Sequence, residues 1–179
     1  MCGDFGLNEM RYSESHSLFN LFIMKKQFSF EYDLFVSLDD LTDDQKELIL
    51  EAEKAMENAY APYSKFRVGA AILLDNGDFV YGSNQENKAY PSGLCAERVA
   101  LFSVGAQLPN RIIKKIAIVG EGSLLGNDDI LTPCGSCRQV MSEFAEKQKE
   151  SFEILMRNHD GSVFVFDSID KLLPFTFGS

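Results

Sequence analysis

Two cysteines stand three positions apart in Thr132-Pro133-Cys134-Gly135-Ser136-Cys137-Arg138-Gln139, and a third precedes them in Cys95-Ala96-Glu97-Arg98. Three thiolates leave one position of a tetrahedral Zn²⁺ open, which is the donor set of a catalytic rather than a closed structural site. Glu97, two residues beyond Cys95, supplies a carboxylate able to take a proton from water at the metal and pass it on. Three thiolates over-neutralise the ion, and Arg98 and Arg138, each adjacent to a ligand cysteine, are the expected compensators. Taken alone, the Cys-x-x-Cys fits a structural zinc knuckle or a redox dithiol as well as a catalytic metal. A glutamate taken alone is usually a solvated helix residue. The pairing of Cys95 with Glu97 is what turns the reading toward hydrolysis.

These residues need helix starts to hold them. A helix over about Cys95–Ala106, with Val99, Phe102 and Ala106 on one face, and a second carrying Cys137, Val140, Met141 and Phe144 on one face would aim positive dipole ends at the thiols. Upstream, Thr42 with Gln45 forms a capping box, and Leu48, Ala52, Ala55, Met56 and Ala59 continue a helix that Pro62 closes. Phe66–Leu74 reads as a strand, Asp75-Asn76-Gly77-Asp78 as a hairpin turn and Phe79–Gly82 as the returning strand. Gly69, Ala70 and Ala71 leave room for a close neighbour over the first of these. Further strands are expected at Ile112–Gly120, Phe152–Arg157 and Val163–Asp167, and a short helix capped by Ser168 at Ile169–Leu173. Alternation at Phe28, Phe30, Tyr32 and Leu34 predicts an edge strand over 28–36, and Glu146–Phe152 reads as a charged surface insertion. The order implies an α/β fold, a mixed sheet with helices on its faces.

Composition narrows the function. With 179 residues, 45% hydrophobic, the chain suits one domain with appendages. A formal charge of −10 removes the attraction that drives most nucleic-acid binding and favours a small-molecule substrate. No apolar run reaches the roughly 18 residues of a membrane span, and no basic lead or uninterrupted apolar stretch marks a secretory signal, so a cytoplasmic location is expected. Residues 1 to about 24, which contain Cys2 and His16, show no clear period, and neither His16 nor the turn residue His159 is assigned a role.

The sequence resembles the free-nucleoside cytidine deaminases, zinc enzymes of the cytidine/deoxycytidylate deaminase family. The likeness runs through Tyr63-Ser64-Lys65-Phe66-Arg67-Val68-Gly69-Ala70-Ala71, Asn84-Gln85-Glu86-Asn87, Ala89-Tyr90-Pro91, Cys95-Ala96-Glu97-Arg98, Pro133-Cys134-Gly135-Ser136-Cys137-Arg138-Gln139 with Glu143-Phe144, and Leu172-Leu173-Pro174 before Phe177-Gly178. It implies a three-layer α/β/α fold with a mixed five-stranded sheet, a catalytic domain over 41–179 and an N-terminal extension over 1–40. By the resemblance, Cys95, Cys134 and Cys137 would hold one Zn²⁺ per subunit and Glu97 would shuttle protons during hydrolysis of cytidine or deoxycytidine to uridine or deoxyuridine and ammonia, a pyrimidine-salvage step. Asn84 and Glu86 would bind the ribose hydroxyls, Phe66 would pack on the substrate, and the Ala96 N–H and Thr132 carbonyl would read the base. Arg98, Arg138 and Gln139 would lie behind the ligands. Ala89, Tyr90 and Phe177 would come from neighbouring subunits of a homotetramer. Phe66, Asn84 and Glu86 carry little weight by themselves, being equally a core aromatic and two loop residues, although i, i+2 spacing turns the latter pair the same way in extended chain. Rival readings are a deaminase of another cytosine nucleoside such as blasticidin S, a zinc-stapled interaction module and a dithiol redox protein.

Overall fold

Alternation decides which side of each central strand meets which helix. In a computed structural model describing residues 24–126 and 129–177, a sheet runs in the order β1-β6-β5-β4-β2-β3. Its strands are β1 (Asp33–Phe35), β2 (Arg67–Leu74), β3 (Phe79–Ser83), β4 (Ile113–Glu121), β5 (Glu153–Arg157) and β6 (Val163–Phe166). Only β4 and β5 pair in parallel; the other neighbours are antiparallel. Ala71, Ala117, Leu155, Val163 and Val165 face one helix, α1 (Asp43–Met56), and pack on its Leu48, Ile49 and Ala52. Their alternates, Ala70, Ile72, Ile116, Ile118, Ile154 and Met156, face α2 (Ala96–Gln107) and α3 (Gly135–Gln148) through Ala100, Leu101, Val104 and Met141. Period two in each strand thus yields two apolar layers, each buried under helix.

Two glycines set how closely the helices approach. A Cβ on Gly69 would lie 2.1 Å from the Ala52 carbonyl oxygen of α1, and one on Gly82 would lie 2.2 Å from the Ala96 carbonyl oxygen of α2. Backbone therefore sits directly on backbone at the start of α2, which places the residue before it, Cys95, over the sheet. The capping box closes α1, with the Thr42 N–H donating to Gln45 Oε1 at 3.1 Å.

Several expectations need correction. The sheet has six strands, not five, because the N-terminal segment adds β1 to the outer edge of β6. The ladder in that segment covers only Asp33–Phe35, shorter than 28–36. Phe30 and Tyr32 instead lay their rings on β6, with Tyr32 stacked at 5.2 Å on Phe164 and 5.4 Å on Phe166. The buried face of α2 is Ala96, Glu97, Ala100, Leu101 and Val104, whereas Phe102 is exposed. The helix cannot present bulk to a strand whose Gly82 it touches. First-turn residues of the expected insertion Glu146–Phe152 continue α3 to Gln148, where Lys149 takes the left-handed conformation (φ 58°) and ends it. Near the C-terminus a 3-10 turn spans Ile169–Lys171, with Ser168 Oγ accepting from the Asp170 N–H as expected.

Candidate metal centre and substrate cavity

Cys95 is the N-cap of α2 and Cys134 the N-cap of α3, so each thiol sits at the positive end of a helix, and Cys137 follows in the first turn of α3. Packing of the two helices on the same sheet face brings the three sulfur atoms within 4.8 Å of one another. The Cys95–Cys134 and Cys134–Cys137 Sγ separations are 3.8 and 3.4 Å. Tetrahedral thiolates about 2.3 Å from Zn²⁺ are about 3.8 Å apart, so the donor set fits that ion. No disulfide joins them.

Charge at the centre is arranged to match. Hydrogen bonding from the Cys137 thiol, and then the neighbouring Arg98 and Cys134, draw the Cys95 thiol down to about 5 against the opposing effect of burial. The same hydrogen bond to Cys95, together with burial and the Glu97 charge, holds the Cys137 thiol up. A metal entering such a cluster displaces the remaining protons. Arg98 Nη2 lies 3.9 Å from Cys95 Sγ, and Arg98 Nε is buried without a hydrogen-bond partner among the described residues. That spare donor capacity suits a cluster of three anionic sulfurs. Glu97 is 4% exposed, and burial, reinforced by the Cys95 charge, raises its carboxyl to about 7. A carboxyl at that value can both give and accept a proton near neutrality.

The cluster opens into a cavity of about 620 Å³ lined by Cys95, Glu97, Arg98 and Cys134 and, further out, by Phe66, Asn84, Glu86, Tyr90 and Thr132. This is within the range of small-molecule sites. The segment 84–86 is extended, with Gln85 bridged to Leu94 and Tyr60, and both Asn84 and Glu86 line the cavity, although Gln85 between them and Asn87 line it too, so alternation alone does not single the pair out. Asn84 is locked in place: its Oδ1 accepts from the Val68 N–H at 2.8 Å and its Nδ2 donates to the Phe66 carbonyl at 2.9 Å. Glu86 accepts from the Tyr63 N–H at 2.8 Å, and the Ser64 hydroxyl, then that backbone contact, keep its carboxyl below the usual range.

Other expected residues lie elsewhere. Ala96 is buried at the start of α2. Ala89 precedes a 3-10 turn, Tyr90–Ser92, and is not among the cavity-lining residues of its own chain; nor is Phe177, which is 92% exposed. Arg138 does not turn to the sulfurs as the sequence reading supposed. Its donors are taken by the carbonyls of Pro133 and Leu172 and the Thr132 hydroxyl. Gln139 accepts from the Phe177 N–H. An apolar wall was missed: Leu124, Leu125 and Ile130, from the loop between β4 and α3, also line the cavity. The one sequence signal for it is a Leu-Leu pair inside a polar loop. Cys2, His16 and Gly178 lie outside the described residues.

This geometry accompanies a sequence match over residues 42–150 to the model of the cytidine and deoxycytidylate deaminase zinc-binding region. The chain belongs to the cytidine and deoxycytidylate deaminase family. A cytidine deaminase of Sporosarcina psychrophila is 40% identical over 134 residues, covering 75% of this chain and 91% of that protein. One from Halalkalibacterium halodurans is 37% identical over 134 residues, covering 75% of this chain and 94% of its own. Among solved structures, a cytidine deaminase from Burkholderia pseudomallei superposes with a TM-score of 0.64 at 42% identity, spanning 76% of this chain and all of that one. As a deaminase of this family the chain is a zinc enzyme, and its three clustered cysteines are the residues suited to the ion.

Proposed function

We propose that this deaminase acts on free cytidine and deoxycytidine, replacing the 4-amino group by oxygen to release uridine or deoxyuridine and ammonia. The observation that carries the reading is the Glu97 carboxyl, buried beside the three gathered thiols and lining the cavity. Cys95, Cys134 and Cys137 hold Zn²⁺, which when bound supplies Lewis acidity that lowers the pKa of water. Glu97 protonates ring nitrogen 3 as the water oxygen adds to carbon 4, then delivers the second proton of that water to the departing amino group. The C–N bond breaks as the carbonyl forms, so one water enters and one ammonia leaves. The Ala96 N–H and the Thr132 carbonyl orient the base, Phe66 packs on the substrate, and Asn84 and Glu86 take the ribose hydroxyls. Arg98 offsets the charge of the thiolates.

Charge in the cavity favours the nucleoside over its phosphate. Among the described residues the lining holds two carboxylates, Glu86 and Glu97, and one cation, Arg98, whose guanidinium is turned to Cys95. A 5′-phosphate would find no counter-charge there. The acidic chain, at −10, is likewise unsuited to polynucleotides. The catalytic domain is 41–179, preceded by the extension 1–40, and the enzyme works in pyrimidine salvage in the cytoplasm. It assembles as a homotetramer in which Ala89 and Phe177 complete the cavities of neighbouring subunits, as does Tyr90 from the exposed rim of its own; the exposure of Tyr90 and Phe177 supports this, since aromatic rings on a surface gain by burial.

Ammonia release from cytidine, deoxycytidine, deoxycytidine monophosphate and blasticidin S tests the reading. Turnover of the two nucleosides is expected; release from blasticidin S alone or from the nucleotide alone would sink it. Glu97→Gln is expected to lower kcat at least 10³-fold, as loss of a general acid–base does at the upper end, with one zinc per chain retained. Wild-type turnover in Glu97→Gln would remove Glu97 from the acid–base role, and zinc retention with no turnover in either protein would point to a zinc-stapled interaction module.

A further inference from the structure

Arg138 follows the last cysteine of the cluster, yet its guanidinium turns away from it. Nε donates to the Pro133 carbonyl at 2.8 Å, Nη1 to the Leu172 carbonyl at 2.9 Å and Nη2 to the Thr132 hydroxyl at 3.2 Å. Two of these acceptors belong to the residues just ahead of Cys134, one of which, Thr132, lines the cavity. The third lies beyond the 3-10 turn at Ile169–Lys171, where Leu172 packs against the core. One side chain therefore joins the wall of the cavity to the C-terminal tail. The next residue grips the tail again: Gln139 Oε1 accepts from the Phe177 N–H at 3.2 Å. On the other side of the wall, the Leu131 N–H is held by Asn158 Oδ1 at 2.9 Å. The loop from β4 has no ladder partner at 131–133, so such side-chain braces stand in for one.

We propose that Arg138 is a positioning residue: it fixes the Thr132–Pro133 wall by bracing it against the Leu172 carbonyl, and so couples the conformation of the C-terminal tail to the substrate cavity. A planar fork of donors can span three acceptors on two segments; an ammonium cannot, although it carries the same charge. The role differs from charge compensation of the thiolates, which falls to Arg98. For its kinetic readout the proposal rests on the deaminase reading above, but its structural readout does not.

Arg138→Lys keeps the charge and removes the fork; Arg138→Gln removes both. In the full-length zinc-loaded protein, both variants are expected to raise the KM for cytidine about tenfold, the loss of a charge-assisted contact set. The kcat should stay within about threefold of wild type, with one zinc per chain. Hydrogen–deuterium exchange should quicken together in peptides covering 130–134 and 172–177 and stay unchanged in β4 and β5. Wild-type KM and exchange in Arg138→Lys, with the defect confined to Arg138→Gln, would show that charge alone matters and overturn the proposal. Gln139→Leu gives a reading even if neither arginine variant folds. It loosens only the tail contact, so coupling predicts faster exchange at 130–134 as well, and faster exchange at the tail alone refutes it. Exchange needs no turnover, so a chain that failed to deaminate cytidine would still support or refute the brace.

Discussion

Asn84 shows how a polar side chain becomes part of a binding surface without freedom to move. Its amide is bound on one side to the Val68 N–H and on the other to the Phe66 carbonyl, leaving one N–H and one lone pair to offer to the cavity. Preorganisation of this kind spares a ligand the cost of ordering the group. Asn84→Ala should therefore raise the KM for cytidine by tenfold or more, roughly the cost of one lost hydrogen bond plus two orphaned backbone groups, with a smaller change in kcat; steady-state kinetics check it, and an unchanged KM would place the ribose elsewhere. Sequence spacing revealed the cluster Cys95, Glu97, Cys134 and Cys137 because helix starts and i, i+2 or i, i+3 relations are local. It could not reveal where Arg138 points. Adjacency to a ligand fixes the Cα, while the long side chain goes wherever carbonyls need donors, and the Leu172 carbonyl is 34 residues away along the chain. The apolar wall of Leu124, Leu125 and Ile130 was hidden for a related reason: in a loop, no periodicity tells which apolar side chains turn inward.

At the level of elements, α2 is held where it is by what β3 lacks. With the Ala96 carbonyl only 2.2 Å from where a Cβ on Gly82 would sit, any side chain there must push the helix start, and Cys95 with it, off β3. Gly82→Ala is expected to cost about 1–3 kcal/mol of stability, as overpacking does, and to weaken zinc retention in a chelator competition beyond what a Gly77→Ala control shows. Gly77 turns freely at the hairpin with nothing within 4 Å, although its φ of +85° adds its own strain. Equal zinc retention in the two would mean that the helix start yields without moving the ligand. The same close approach explains why the exposed and buried faces of α2 were assigned wrongly from sequence. Phe102 drew the apolar face toward itself, whereas the strand contact demands Ala96 and Ala100, whose small side chains carry little hydrophobic signal. Elements marked by turn and cap chemistry fared better: the Asn76-Gly77 hairpin, the Thr42–Gln45 box and the Ser168 cap all formed where their residues predicted.

For the molecule as a whole, the N-terminal segment lies outside the matched region, which begins at residue 42, and adds a strand to the edge of the sheet farthest from β2 and β3. Covering β6 guards an edge that would otherwise offer unpaired backbone groups. Replacing both Phe30 and Tyr32 by Ser should remove the ring contacts with Phe164 and Phe166. That costs about 1–3 kcal/mol and lowers Tm by several degrees. The kcat/KM should be unchanged, because β6 and β5 separate these rings from β4 and β2, the strands that reach the cavity through Ile118 and Val68. A large kinetic defect at unchanged Tm would tie the extension to the active site. The sixth strand could be anticipated from alternation at Phe28–Leu34, but its short ladder could not, since stacking against a strand and hydrogen bonding beside it leave the same pattern in a sequence.

The parallel pairing of β4 with β5, the one such pair among the described strands of the sheet, has a consequence for how the chain comes to be folded. Parallel neighbours require a crossover, and here the crossover is α3, the helix that begins with Cys134 and carries Cys137. The thiols contributed by α3 reach Cys95 only as that crossover docks, a non-local step that closes slowly compared with hairpins. Gathering of all three sulfurs thereby requires that this crossover be docked: a chain whose sheet has not closed at β4 and β5 lacks the complete ligand set.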